Sequence, residues 1–138
     1  MAGLTPRITR YHLYKAIYEG IACELAINAG ALEEVAGKFD NIRINGGNAL
    51  SPFTVQLRAD LTGKKIQTLN SSEAVCQGAA MLAGIAAGVY KDAADAVQKV
   101  VRLDKTYLPD TASVEGYRKQ LQKYRLLYPS MAWLRDLD

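Results

Sequence analysis

The chain has 138 residues, of which 49% are hydrophobic and 22% charged, a composition typical of a folded globular protein and not of a disordered or fibrous one. Its length suits one domain of ordinary size. The net charge of +3 comes from 17 basic and 14 acidic residues whose signs are interspersed along the chain. Because no basic arm is formed, we expect no nucleic-acid partner.

Three features bear on the compartment. The amino terminus, Met1 to Arg7, lacks the charged and then apolar pattern of a signal peptide. Ala74 to Tyr90 contains 17 uncharged residues, but they are mostly Ala and Gly, so they predict a helix buried in a soluble protein and no membrane span. Cys23 and Cys76 lie in apolar surroundings, which indicates buried free thiols and a cytoplasmic protein.

The first predicted elements are a helix and a strand. A helix is expected over 9–36, with Gly37 as its stop signal and Thr9 as its N-cap, although Thr5 before Pro6 competes for the N-cap role. A short strand over 39–45 follows, because apolar residues alternate there, and Gly46-Gly47 ends it. The apolar stripe of the helix is Leu13, Ile17, Ile21, Leu25, Leu32 and Val35.

A second helix and strand come next. Ser51 is suited to the N-cap position and Pro52 to the first helical position, and Gly63 ends the helix. Lys65 to Leu69 is a second short strand. A strand–helix–strand unit predicts parallel neighbours. Two strands alone are marginal, so we expect the remaining strands of the layer to come from elsewhere.

The rest of the chain is predicted to be helical. Asn70 and Glu73 have the spacing of a capping box for an apolar helix that ends near Gly88. Asp92 caps a short helix that reaches about Val101.

The stretch around Pro109 is expected to be irregular, and a last amphipathic helix follows until Pro129 terminates it. The apolar face of that helix carries Tyr117, Leu121, Tyr124 and Tyr128, which are expected to be core residues.

The glycine turn is the candidate binding loop. Gly46 and Gly47 permit a tight turn and let a ligand approach the backbone, while the next helix directs its unpaired N–H groups into the same space. This arrangement suits a phosphate, or a ribose and a phosphate together. A plain turn is the alternative, since the sequence matches neither the Walker loop nor the dinucleotide fingerprint.

Five segments in the same order carry a family resemblance. They are HLYKAIYEGIA (12–22), INGG with SP (44–47 and 51–52), QLRADLTGK (56–64), EAVCQGAAMLAG (73–84) and YRLLYP (124–129). Together they resemble the C-terminal part of the FGGY carbohydrate kinases, members of the actin-like ATPase superfamily. The resemblance covers nearly the whole chain.

The resemblance implies an α/β fold: a partial actin-like (ribonuclease H-like) domain with a short parallel strand pair covered by helices. Residues 1–138 would form one C-terminal kinase subdomain. The implied activity moves the γ-phosphoryl group of MgATP to a sugar or polyol hydroxyl, so ATP and Mg are the implied cofactors.

The family places the nucleotide at the glycine turn. Carried over, Gly46 and Gly47 would give backbone contacts, Gly47 foremost. Asn48 replaces a third glycine found in many sugar kinases, and it tolerates positive φ. Ser51 falls where some members use a small polar side chain near the nucleotide, although an N-cap role explains it equally well.

No catalytic residue and no metal ligand are predicted. The family's Asp-Gly-Thr phosphate loop and catalytic aspartate belong to a part that precedes this chain, and the similar segment 60–63 lies at a helix end with the wrong spacing. We therefore expect a kinase fragment that is inactive alone and whose sugar contacts lie mainly in the absent N-terminal part.

A non-catalytic packing or assembly module that retains the kinase scaffold is the alternative. In either case, the strand edge around Ile42 and Ile44 would be exposed. Because unpaired edges recruit other chains, we expect self-association through this edge or through apolar faces.

Overall fold

A computed structural model describes residues 4–71 and 73–133, with only the backbone described at Asn48. Within these residues the elements are α1 (Arg10–Ala36), β1 (Asn41–Ile44), a 3₁₀ turn (Gly46–Ala49), α2 (Pro52–Thr62), β2 (Lys65–Leu69), α3 (Ala74–Ala86), α4 (Ala93–Val100), β3 (Leu103–Tyr107) and α5 (Thr111–Met131).

The chain divides into two compact units. The helical unit contains the described residues within 1–39, 57–63 and 109–138. The sheet unit contains those within 40–56 and 64–108.

Both ends of α1 form where the sequence predicts. Thr9 precedes the helix, and its backbone N–H donates to Nδ1 of His12 at 3.2 Å. At the other end Gly37 has φ 84°, a conformation that favours glycine, and its N–H donates to the Glu33 carbonyl at 3.1 Å. The sole histidine of the sequence therefore has a structural role at a helix end.

The core of the helical unit lies around small residues of α1. Its buried members and the side chains packed against them are Ala22, Cys23, Leu57, Leu61, Tyr18, Tyr117, Leu121 and Tyr124. Small side chains on α1 leave room for the rings of α5, and a Cβ added at Gly20 would lie 3.8 Å from the Tyr124 ring. Of the four residues on the predicted apolar face of α5, three thus contribute to packing, whereas the fourth, Tyr128, is exposed.

Hydrogen bonds across the helical unit hold α1 and α5 in register. The Tyr124 hydroxyl donates to Oε1 of Glu24 at 2.8 Å. Nε2 of Gln120 donates to Oε2 of Glu19 at the same distance of 2.8 Å.

Much of the predicted aliphatic stripe of α1 lies outside this core. Ile17 is 61% exposed and Ile21 is 49% exposed. The helix buries Ala22, Cys23, Ala26 and Ala29 instead, because the bulky side chains that face it are supplied by α5. A search for large apolar residues at helical spacing therefore misses a helix face whose small side chains let another helix pack closely.

The sheet unit confirms the parallel strand pair. β1 and β2 run parallel, with Asn41 opposite Lys65 and Ile44 opposite Thr68. Ile66 at the centre of β2 is fully buried.

A third strand, β3, pairs antiparallel with β2 and gives the order β1-β2-β3. The sequence did not predict it. Four of its five residues are exposed, so the segment lacks the apolar alternation that marks a half-buried strand.

The predicted capping box at Asn70 and Glu73 is wrong. Helix α3 begins at Ala74 with Glu73 as its N-cap, and no side chain caps it. The Asn70 N–H instead donates to the Arg102 carbonyl at 3.1 Å, which extends the pairing of β2 with β3. The Glu73 N–H donates to Oγ of Ser71 at 3.2 Å. The far end agrees with the prediction, because Gly88 has φ 75° just after the helix.

Burial of α3 was also expected, and the described residues contradict it. None of the residues of α3 is buried, and Val75 and Leu82 are 87% and 69% exposed. Cys76 is likewise exposed, whereas Cys23 is buried as predicted, and both thiols are free. Among the described residues, no helix is both long and apolar enough to cross a membrane.

The last two helices give one agreement and one correction. Oδ1 of Asp92 accepts from the Asp95 N–H at 2.9 Å, so Asp92 caps α4 as predicted. Helix α5 continues past Pro129 to Met131, so termination at the proline is wrong. The missing N–H of Pro129 removes one bond in the final turn, which does not stop a helix that is about to end.

The two cysteines are expected to differ sharply in reactivity. Burial, reinforced by the negative charges of Glu19 and Glu24, raises the pKa of the Cys23 thiol to about 11, so this thiol is almost fully protonated at neutral pH. With Ellman's reagent at neutral pH, one thiol of the native chain should react quickly and the other only after unfolding. In the Cys76→Ser variant the fast phase should disappear, and its persistence would contradict the buried position of Cys23.

Self-association remains a prediction, and the fold indicates where to test it. β1 lies at one edge of the sheet, and α1 and α3 expose apolar side chains. Size-exclusion chromatography with light scattering should give a dimer or larger species, and Ile17→Glu combined with Ile21→Glu should shift it toward the monomer if the α1 face is responsible. Lys119→Glu on α5 is the exposed control. A strictly monomeric wild-type chain at high concentration would refute the prediction.

Candidate functional site

A cavity of about 340 Å³ lies in the sheet unit, at the carboxyl ends of β1 and β2. Parallel strands end at the same edge of a sheet, and ligands of open α/β folds bind outside those ends. The residues that line the cavity are Gly46, Ala49, Leu50, Thr68, Leu69, Asn70, Ser71 and Asp104.

The glycine turn forms one wall. Gly46 lines the cavity with φ 71°, in the left-handed region that favours glycine, and it starts the 3₁₀ turn that ends at Ala49. Gly47 is exposed and is not among the lining residues, and a Cβ added there would meet nothing within 4 Å. The side chain of Asn48, also a predicted site residue, lies outside what the structure describes.

Ser51 lies at the start of α2 and not in the cavity lining. Its Oγ accepts a long hydrogen bond of 3.5 Å from the Thr54 N–H, and its carbonyl accepts from Oγ1 of Thr54 at 3.0 Å. This geometry fits the N-cap interpretation of Ser51. Of the four predicted site residues, the structure therefore brings Gly46 into the cavity wall and leaves Gly47 and Ser51 beside it.

The opposite wall depends on Thr68, which is only 3% exposed. Its Oγ1 accepts from the Lys105 N–H at 3.1 Å and donates to Oδ2 of Asp104 at 3.5 Å. The register between β2 and β3 shifts between Gln67 and Leu69. The Lys105 N–H therefore donates to the Thr68 hydroxyl at a point where the ladder is irregular. Oδ2 of Asp104 thus lies within long hydrogen-bond distance of a buried hydroxyl at the cavity.

Thr68, Asn70, Ser71 and Asp104 were missed by sequence reasoning. A usable signal existed for Asn70 and Ser71, because residues that directly follow the second of two parallel strands must share an edge with the glycine turn. None existed for Asp104, since its place depends on the unpredicted strand β3.

A cavity of about 360 Å³ lies in the helical unit and is lined by residues of α1 and α5. Its polar groups bond to one another: Oε1 of Glu19 lies 3.3 Å from Nζ of Lys15, and Oε2 accepts from Gln120. No predicted site residue lies there, so the sheet-edge cavity is the better candidate.

Metal ligands are not grouped in the described part of the chain, where no cluster of three or more His, Cys, Asp or Glu side chains is found. Of the described residues, Asp104 is the one with an ionisable side chain that lines the sheet-edge cavity. Mg²⁺ in kinases is bound through one or two carboxylates and the phosphates of the substrate. A single carboxylate is too few ligands to hold Mg²⁺ without the phosphates of a nucleotide.

Comparison with known proteins decides the family. Residues 1–87 match the FGGY family of carbohydrate kinases, C-terminal domain. The chain belongs to this family. It is 32% identical over 129 residues to an L-xylulose/3-keto-L-gulonate kinase of Escherichia coli (strain K12), covering 94% of the chain and 26% of that protein. It is 30% identical over 137 residues to a glycerol kinase of Rhodopirellula baltica, a match that covers 99% of the chain and 25% of that protein.

Solved structures of FGGY kinases show the same fold. A xylulose kinase from Lactobacillus acidophilus superposes with a TM-score of 0.84 at 27% identity, over 95% of this chain and 26% of that one. Plasmodium falciparum glycerol kinase, solved with ADP, superposes with a TM-score of 0.72 at 26% identity. The match covers 99% of this chain and 26% of that one. The chain thus spans about a quarter of the length of these relatives, and the predicted actin-like α/β fold is confirmed.

The two glycines of the glycine turn, Gly46 and Gly47, should differ in their tolerance of a side chain. Gly46→Ala forces alanine into the left-handed region, which costs about 1–2 kcal/mol in the free energy of unfolding. Gly47→Ala points a methyl into open space and should change the free energy of unfolding by less than about 0.5 kcal/mol. Urea denaturation measures the free energy of unfolding of both variants, and an equal decrease in the two would contradict the geometry of the turn.

Proposed function

We propose that the sheet-edge cavity binds the ATP or ADP of a carbohydrate kinase, and that the chain is the nucleotide-side part of that enzyme's C-terminal domain. The supporting observation is that the Gly46 turn and the cavity share the carboxyl edge of a parallel strand pair in a member of the FGGY family. The ADP of the Plasmodium falciparum relative is consistent with this ligand class.

The phosphates would lie on the side of Gly46 and Gly47. The open space next to Gly47 lets an anion approach the backbone, and the N–H groups at the start of α2 add partial positive charge to that region. Mg²⁺ would neutralise phosphate charge there when the nucleotide is bound.

The rest of the cavity lining offers groups of a different kind. Leu50, directly after the glycine turn, presents an exposed apolar side chain to the cavity, which suits the face of a base. Asn70 and Ser71 on the opposite wall add polar groups that can hydrogen-bond.

The parent reaction would transfer the γ-phosphoryl group of MgATP to a sugar or polyol hydroxyl. Phosphoryl transfer needs a base directed at the acceptor hydroxyl, and no side chain at the sheet-edge cavity is assigned this role. We propose that the base and the sugar contacts belong to the part of the kinase that this chain does not cover, and that the chain alone positions nucleotide without turnover.

A packing or assembly module is the second candidate function. The specific observation in its favour is the exposure of apolar side chains on α3, such as Val75 and Leu82. Contiguous exposed apolar surface marks interaction sites. This candidate needs no nucleotide, so nucleotide binding separates the two proposals.

Calorimetric titration with MgADP tests the proposed function. The wild-type chain should bind weakly, and Gly47→Asp should lower the affinity at least about tenfold, because a carboxylate beside the turn repels phosphate. Gly116→Asp on α5 is the matched control, because it adds the same charge where nothing lies within 4 Å of the new Cβ, and it should bind like the wild type. A folded wild-type chain that gives no heat with MgADP, and no competition with a labelled nucleotide, would reject the nucleotide site and favour the assembly module.

A further inference from the structure

The charge of the sheet-edge cavity is opposite to that expected of a phosphate pocket. Its lining, as far as the structure describes the chain, is neutral except for Asp104, which is acidic. A carboxylate repels the α- and β-phosphates of a nucleotide, and no basic side chain among the described lining residues offsets this repulsion. The cavity therefore suits the uncharged end of the ligand.

One side-chain hydrogen bond orients Asp104. The buried Thr68 hydroxyl accepts from the backbone of Lys105 and so directs its own proton to Oδ2 of Asp104. Among the described residues, Oδ1 of Asp104 accepts no hydrogen bond. The carboxylate thus has an acceptor oxygen available beside the cavity.

We propose that Asp104 is a specificity-determining residue that accepts a hydrogen bond from the nucleoside end of the nucleotide. The donors are the ribose hydroxyls or an amino group of the base, which share the chemistry of an uncharged N–H or O–H. The phosphates then lie on the Gly47 side of the turn. This inference rests on the proposed nucleotide site and assigns an orientation to the ligand within it.

A metal role for Asp104 is the main competing interpretation. A lone carboxylate can join the coordination shell of Mg²⁺ when the nucleotide supplies phosphate ligands. That role would place the phosphates, and not the nucleoside, at Asp104. Adenosine, which carries no phosphate, distinguishes the two interpretations directly.

The test is a titration of the full 138-residue chain with adenosine and with ADP, with and without Mg²⁺. Asp104→Ala removes the acceptor, and Asp104→Asn retains its shape without the charge. Asp40→Ala is the matched control, because Asp40 is an exposed acid that precedes β1 at the opposite end of the strand from Gly46. Circular dichroism checks the fold of each variant.

Asp104→Ala should lower the affinities for adenosine and for ADP by the same factor of about ten, as expected for the loss of a hydrogen bond to a charged group. The affinities of Asp104→Asn should lie between those of Asp104→Ala and of the wild type. 2′,3′-Dideoxyadenosine lacks the ribose hydroxyls and purine riboside lacks the base amino group. Whichever analogue binds the wild type and Asp104→Ala equally identifies the donor.

Unchanged adenosine affinity in both Asp104 variants would overturn the inference while leaving the nucleotide site intact. Loss of only the Mg²⁺ dependence of ADP binding would also overturn it, in favour of the metal role. A wild-type chain that binds neither adenosine nor ADP would reject the proposed nucleotide site, and this inference with it.

Discussion

The parallel pairing of β1 with β2 is the constraint on which the candidate site depends. With Ile44 opposite Thr68, the two strands end at the same edge, although the residues that follow them are far apart in sequence. The Gly46 turn and the Asn70–Ser71 loop consequently face one cavity. Neither segment would form a site alone, because a glycine turn without a second wall is only a change of chain direction.

The third strand changes the chemistry of this edge more than its shape. β3 pairs antiparallel with β2, so its beginning lies at the edge where β1 and β2 end, and it brings Asp104 there. The irregular register at Thr68 allows a side-chain hydroxyl to replace a ladder contact and to lie within 3.5 Å of the carboxylate. A strand with no buried residue thereby supplies the single charge among the described lining residues of the cavity.

Local signals in the sequence predicted most of the fold. Gly37, Ser51-Pro52 and Asp92 act through their own backbone or nearest N–H groups, so their effects can be read without tertiary context. The burial of small residues on α1, the exposure of α3 and the presence of β3 depend on distant partners and were not predictable. For the same reason the sequence indicated the glycine wall of the site, whereas the wall that carries Asp104 required the structure.

The most direct test of the nucleotide site is an NMR titration of the ¹⁵N-labelled chain with ADP. The site described above predicts that the largest amide shift changes occur at residues 46–50 and 68–71 and at Asp104, on all three sides of the sheet-edge cavity. Amides of α1 and α5 should remain unchanged. Shift changes confined to those helices, or none at saturating ADP, would contradict a nucleotide site at the carboxyl edge of the sheet.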